Sequence, residues 1–187
     1  MNLPNKLTLF RMILVPFFVA AVLVPALPNH YLWALLLFLI ASYTDHLDGK
    51  LARKYNQVTN FGKFLDPVAD KILVISALVC FVQLGFAQTW CVLLIIAREF
   101  IVTSIRLVAV DGGKVIAANK WGKTKTVSQL ISISVILLLQ YLLELSIGSA
   151  LLFQMIGDIT IYIATLLTVI SGVTYVQQNF ALIRTAK

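Results

Sequence analysis

Long apolar stretches alternate with short polar connections along almost the whole chain. Each stretch approaches the roughly 20 mostly apolar residues that a membrane-spanning helix needs. Six spans are predicted, at Leu9–Leu27, Tyr31–Leu51, Pro67–Phe86, Thr89–Val110, Val127–Leu145 and Leu151–Val176. Brief links between some of them predict antiparallel neighbours in a helical bundle. The pattern therefore indicates an all-α integral membrane protein with six transmembrane helices, and residues 1–187 form a single membrane domain.

The first ten or so residues have a different pattern from the spans. Apolar Leu3, Leu7 and Phe10 alternate there with polar Asn5, Lys6 and Arg11. Such an arrangement is typical of a short amphipathic segment that lies at the membrane interface.

The basic residues predict how the chain is oriented. They precede span one, cluster between spans two and three and between spans four and five, and follow span six; the other three connections carry no Lys or Arg. Positive residues concentrate on the cytoplasmic side of membrane proteins. We therefore expect a multi-pass protein of the cell membrane, with both termini and the basic connections in the cytoplasm.

Composition supports the membrane interpretation and narrows the partners. Hydrophobic residues make up 60% of the chain and charged residues 12%, whereas a soluble domain carries about 25% charged residues. The net charge of +7 is explained by topology and anionic ligands, so no nucleic acid partner is expected. Cys80 and Cys91 lie in apolar runs and are predicted to be small buried side chains.

Half of the eight acidic residues fall in one stretch: Asp45, Asp48, Asp66 and Asp70. Residues three or four apart share a helix face, and an antiparallel pair of helices can bring both faces together. Four carboxylates would repel one another without a cation. Oxygen ligands of this kind suit Mg²⁺ or Mn²⁺, and two metal ions side by side would fit the carboxylate count.

Small and basic residues lie among these aspartates. Gly49 and Gly62 allow close approach of a ligand to the backbone, Ala52 is one turn beyond Asp48, and Arg53 can donate two parallel hydrogen bonds to a diphosphate. The combination predicts a site for a phosphate-bearing ligand.

The whole stretch, with the spacing D-x2-D-G-x2-A-R-x8-G-x3-D-x3-D from Asp45 to Asp70, resembles the signature of the CDP-alcohol phosphatidyltransferase family. The resemblance implies six membrane helices, CDP-diacylglycerol as donor, two divalent cations (Mg²⁺ or Mn²⁺) and a homodimer in the lipid bilayer. It also implies roles for single residues: Asp45, Asp48, Asp66 and Asp70 as metal ligands, Asp70 as catalytic base, and Gly49, Ala52, Arg53 and Gly62 as the CDP-binding residues.

A second group of charges points to the acceptor alcohol. Arg98 and Arg106 lie in span four, and Lys120, Lys123 and Lys125 lie in the connection that follows. A phosphorylated acceptor needs such a basic pocket. We therefore expect Arg106, Lys123, Lys125 and also Arg98 to bind the acceptor phosphate. Adjacent helix residues point about 100° apart, so Arg98 and Glu99 are not expected to pair.

Further local patterns are similar to the branch of the family that uses glycerol 3-phosphate as its acceptor. They are A-R-E-F at 97–100, G-K-x-K-T at 122–126 and N-x2-T-x2-R at 5–11. The resemblance therefore implies transfer of a phosphatidyl group to glycerol 3-phosphate, with CMP as the leaving group.

Three alternatives stay open at the level of sequence. Another acceptor, phosphatidylglycerol or an inositol phosphate, would leave the aspartate signature unchanged. A cation transporter would also carry intramembrane carboxylates, although usually nearer the midplane. A non-catalytic scaffold would leave the conjunction of aspartates, glycines and Arg53 unexplained.

Overall fold

A computed structural model provides the structure of the protein. It describes the backbone of residues 3–54, 60–111 and 120–180, and the side chains of residues 6–44, 68–69, 71–109 and 120–180. Every regular element within these ranges is an α-helix. The six helices are α1 (Leu3–Leu23), α2 (His30–Lys54), α3 (Asn60–Gln83), α4 (Thr89–Asp111), α5 (Lys120–Glu144) and α6 (Ala150–Gln178).

Tight turns reverse the chain where the polar connections were predicted. After α3, Gly85 adopts a left-handed conformation with φ of 77°, and the backbone N–H of Phe86 donates to the carbonyl of Phe81 at 2.8 Å. After α5, Ser146 and Gly148 have φ of 60° and 92°. Left-handed residues satisfy the last carbonyls of a helix and send the chain back, so successive helices run in opposite directions.

The helices pack around one apolar core. Helix α1 lies against α2 and α3, α5 packs against α6 and α2, and α4 lies on α6. Phe18, Phe38 and Phe81 are fully buried where the first three helices meet, and Ile95 and Leu137 continue the core into α4 and α5. The all-helical bundle expected from the sequence is confirmed.

Large apolar side chains cover much of the outer surface, including Phe17, Leu107 and Leu151 at 61%, 65% and 74% exposure. Within the described residues, three helical stretches are long and apolar enough to cross a membrane: Lys6–Leu23, Lys120–Glu144 and Ala150–Gln178. Shorter apolar stretches occupy His30–Thr44 and Lys71–Gln83. An exterior of this kind is what lipid, and not water, accommodates.

Helices α1 and α5 begin earlier in the chain than the spans that were predicted for them. Helix α5 begins at Lys120 and not at Val127, so Lys120, Lys123 and Lys125 belong to a helix and not to a connection. Helix α1 is continuous from Leu3, so the predicted amphipathic segment is its first turns and not a separate element. Apolar content marks where the chain meets lipid, whereas the hydrogen-bonded helix extends into polar residues at its ends.

Candidate functional site

A cavity of about 700 Å³ opens among the described helices, and all six contribute to its wall. The lining residues come from the first half of α1 and α5, the middle of α2, α3 and α4, and the second half of α6. Since neighbouring helices alternate in direction, the cavity extends from the middle of the bundle towards one end. This is the end at which α2 and α3 carry the aspartate signature.

Basic side chains dominate the cavity wall. Six cations line it, namely Arg11, Lys71, Arg98, Arg106, Lys123 and Lys125, against the carboxylate of Glu99 among the described lining residues. So strong a positive field in a partly enclosed space favours an anionic ligand. The four residues predicted from sequence to bind the acceptor phosphate are all brought together here, whereas Lys120 is not among the lining residues.

Two of these cations are buried and already paired. Glu99 Oε1 accepts a hydrogen bond from Arg98 Nη1 at 3.1 Å and another from Lys125 Nζ. The side chains of Arg98, Glu99 and Lys125 are only 10%, 12% and 7% exposed. A shared carboxylate offsets the cost of burying both cations. The expectation that Arg98 and Glu99 would not pair was wrong, because the Arg98 side chain is long enough to fold back along α4.

Helix α6 fixes Arg98 from the opposite side. Arg98 Nη2 donates to Ser171 Oγ at 2.8 Å, and a Cβ added to Gly172 would lie 2.9 Å from Arg98 Cγ. The glycine therefore gives the arginine stem room to lie against the helix. Arg98 thus ties α4 to α6, while Lys125 ties α5 to α4 through Glu99.

A second pair of cations in the cavity is exposed. Arg106 lies two turns beyond Arg98 on α4, and Lys123 lies two residues before Lys125 on α5. Neither forms an ion pair with any residue that the structure describes. These two side chains are therefore available to an incoming anion in a way that Arg98 and Lys125 are not.

Sequence reasoning did not single out Glu99, Ser171, Gly172 or Tyr175. Tyr175 is 2% exposed and lines the cavity one turn beyond Ser171. The available signal was the spacing of polar and small residues on α6, since Thr168, Ser171, Gly172 and Tyr175 follow the i, i+3, i+4, i+7 pattern of one helix face.

The aspartate signature falls on helical backbone, but its side chains lie outside those that the structure describes. Asp45 and Asp48, with Gly49, Ala52 and Arg53, are in α2; Gly62, Asp66 and Asp70 are in α3. Helical backbone puts each aspartate pair on one face, as a shared metal site requires. Ser42, three residues before Asp45, and Lys71, directly after Asp70, line the cavity. In the described part of the chain, no group of three His, Cys, Asp or Glu could hold a metal ion.

Apolar helices around a cationic cavity are typical of a membrane protein with an anionic ligand, and comparison with known proteins narrows this class further. Residues 1–170 match the profile of the CDP-alcohol phosphatidyltransferase family. The chain belongs to this family, as the aspartate signature predicted.

Curated relatives resemble the chain over most of its length. A CDP-diacylglycerol–glycerol-3-phosphate 3-phosphatidyltransferase of Bacillus subtilis is 43% identical over 99% of this chain and 98% of its own. Proteins of the same name from Haemophilus influenzae and Escherichia coli are 41% and 42% identical. These matches cover 94% and 71% of this chain, and 92% and 75% of the relatives.

Proposed function

We propose that this protein transfers the phosphatidyl group of CDP-diacylglycerol to glycerol 3-phosphate, giving phosphatidylglycerophosphate and CMP. The observation that carries the acceptor assignment is the cavity, in which exposed Arg106 and Lys123 lie beside the paired Arg98 and Lys125. An acceptor with a phosphate group suits this wall, whereas choline or another cationic alcohol would be repelled. The names of the relatives support the same donor and acceptor.

The acceptor phosphate binds chiefly to the exposed cations. An arginine fork at Arg106 donates two hydrogen bonds to phosphate oxygens, and Lys123 adds a charge from the facing helix. Arg98 and Lys125 stay bound to Glu99 and add positive electrostatic potential to the site. This division refines the four-residue site expected from sequence.

The donor occupies the α2–α3 side of the cavity. Gly49, Ala52, Arg53 and Gly62 hold the cytidine diphosphate, and the acyl chains stay in lipid. Asp45, Asp48, Asp66 and Asp70 hold two divalent cations, Mg²⁺ or Mn²⁺, which supply charge stabilisation at the transferring phosphate. Their oxygen-only chemistry and helical spacing fit such ions.

Asp70 then acts as the general base. It accepts the proton of the acceptor hydroxyl, whose oxygen forms a bond to the β-phosphorus of the donor, and the bond from that phosphorus to the CMP oxygen breaks. A positioned carboxylate base accelerates such a step by about 10²–10⁴-fold. Lys71, the next residue on α3, lines the cavity, so this part of α3 borders the space in which we propose that the acceptor binds.

The arrangement in the membrane follows from the same proposal. All six helices cross the bilayer, both termini and the active site lie on the cytoplasmic side, and the protein functions as a homodimer. Water-soluble glycerol 3-phosphate and CMP then enter and leave from the cytoplasm.

The test is a transfer assay on purified protein in lipid nanodiscs with CDP-diacylglycerol. Glycerol 3-phosphate, phosphatidylglycerol and an inositol phosphate are offered side by side as acceptors. We expect turnover with glycerol 3-phosphate, loss of turnover in EDTA, and recovery with Mg²⁺ or Mn²⁺. Preference for another acceptor would overturn the acceptor assignment, and full activity in chelator would overturn the metal assignment.

A further inference from the structure

Polar atoms without partners remain in the cavity wall after its ion pairs are formed. Ser42 Oγ, Arg98 Nε and the hydroxyl of Tyr175 are buried and make no hydrogen bond to any residue that the structure describes. All three residues line the cavity. A buried polar group without a hydrogen bond is costly, and three such groups around one cavity indicate that a polar ligand completes the site.

Tyr175 is the most informative of the three. Its side chain is 2% exposed, and a phenol hydroxyl can both donate and accept a hydrogen bond. A phenylalanine would fill the same space without burying an unsatisfied oxygen. Packing alone therefore gives no reason for tyrosine at this position.

Along the bundle axis, Tyr175 lies at the height where the middle of a short phosphorylated acceptor would lie. Ser171 is level with Arg98, which it contacts. Helices α4 and α6 run in the same direction, so Tyr175 lies about 6 Å beyond this level and Arg106 about 12 Å beyond it, at 1.5 Å per residue. A ligand whose phosphate is at Arg106 would therefore present its carbon chain near Tyr175.

We propose that Tyr175 is a specificity-determining residue, whose hydroxyl bonds the C2 hydroxyl of glycerol 3-phosphate. The inference rests on the proposed function for the identity of the acceptor. The phosphate is held by Arg106 and Lys123, the C1 hydroxyl is directed to the carboxylate side, and the C2 hydroxyl supplies the partner that Tyr175 lacks. The residue thus distinguishes glycerol phosphate from phosphorylated alcohols without a neighbouring hydroxyl.

The experiment compares Tyr175→Phe with the unmodified enzyme on two acceptors, glycerol 3-phosphate and 3-hydroxypropyl phosphate, which lacks the C2 hydroxyl. We expect the substitution to lower kcat/KM for glycerol 3-phosphate about two- to tenfold, the value of one neutral hydrogen bond. With 3-hydroxypropyl phosphate, the variant and the unmodified enzyme should be equal. The preference for the natural acceptor should therefore shrink or disappear.

Two controls separate recognition from folding. Tyr162→Phe changes an exposed tyrosine on the same helix that stacks on Trp90 and does not line the cavity; both kinetic constants should stay unchanged. The melting temperature of Tyr175→Phe should equal or exceed that of the unmodified enzyme, because an unsatisfied buried hydroxyl is removed. A large fall would show that the hydroxyl is structural and would overturn the proposal.

Other outcomes overturn it in recognisable ways. Equal losses with both acceptors would mean that Tyr175 does not contact the C2 hydroxyl. A raised KM for CDP-diacylglycerol, or a raised metal requirement, would assign the hydroxyl to the donor or to the carboxylate side. If the unmodified enzyme shows no turnover with glycerol 3-phosphate, the proposed function fails, and this result is distinct from every outcome of the substitution.

Discussion

Two pairs of cations in one cavity show how differently similar charges can be used. Arg98 and Lys125 are buried and share the carboxylate of Glu99, whereas Arg106 and Lys123 are exposed and pair with no described residue. We call the first the inner pair and the second the outer pair. Burial requires a partner charge, and a partner charge reduces what a cation can offer a ligand. We therefore expect the inner pair to hold the cavity wall together and the outer pair to bind the ligand.

The largest effect on activity should come from Asp70, which belongs to neither pair. Its replacement tests the chemical step without changing the cations that are proposed to bind the acceptor. Replacing Asp70 by Asn removes the proposed base while both cation pairs stay in place. We expect kcat to fall about 10²–10⁴-fold, with unfolding temperature unchanged. Asp158→Asn, on α6 and outside the cavity wall, is the matched control and should retain activity. Near-normal turnover of Asp70→Asn would mean that the base is another group.

Removing the shared carboxylate of Glu99 should break the ion pairs of both inner cations and leave the outer pair unchanged. Glu99→Gln leaves two buried cations without their counter-charge, and losing one partner of a buried ion pair costs about 3 kcal/mol or more. We expect a marked fall in the thermal unfolding temperature, measured in nanodiscs. Glu144→Gln is the control, since Glu144 is exposed and, among the residues that the structure describes, accepts a hydrogen bond only from the backbone N–H of His30. Equal stability of the two variants would show that the inner pair does not hold the wall together.

Changing the outer pair should have the opposite effect: it should weaken acceptor binding and leave stability nearly unchanged. Arg106→Ala should raise the KM for glycerol 3-phosphate about ten- to a hundredfold, since an arginine fork to phosphate contributes about 1.5–3 kcal/mol. The KM for CDP-diacylglycerol and the unfolding temperature should change little. Arg53→Ala should do the reverse with the two substrates, because Arg53 is assigned to the donor.

Lys120→Ala is the matched control for this measurement. Lys120 is exposed at the start of α5 and does not line the cavity. If it raises the KM for glycerol 3-phosphate as much as Arg106→Ala does, general surface charge explains the effect. An equal effect of Arg106→Ala on both substrates would reopen the choice of acceptor.

The smallest effect should come from the hydroxyl that steadies the inner pair. Ser171→Ala removes one hydrogen bond to Arg98 and should cost about 1 kcal/mol of stability, with a slight loss of acceptor affinity. Ser132→Ala removes a side-chain hydrogen bond to Thr160, at the neighbouring α5–α6 interface. It should lower stability similarly without any change in kinetics. If the two variants have the same kinetic constants, the hydrogen bond from Arg98 to Ser171 on α6 does not contribute to acceptor binding.

Local patterns in the sequence predicted the helical architecture, and they predicted four of the cations that line the cavity. The helices and the aspartate signature could be predicted because each depends on residues near one another in the chain, and the four cations could be predicted because charges are rare in apolar helices. The role of Glu99 could not be predicted, because its partner Lys125 is 26 residues away in the chain. The pairing of Glu99 with Arg98 was missed because the angle between adjacent Cβ atoms does not show how far long side chains reach. Tyr175 was overlooked because a single aromatic residue in an apolar run usually belongs to the core.

Gly172 is an exception to a common rule of protein engineering. Replacing a helical glycine by alanine ordinarily favours the helix by about 1 kcal/mol. Here the new methyl group would meet the Arg98 stem at 2.9 Å, and the arginine is held at its head by Ser171 and Glu99. The stem cannot move away without giving up one of these bonds. A choice of stabilising substitutions by helix propensity alone would therefore disturb, at this position, the packing of the cavity wall.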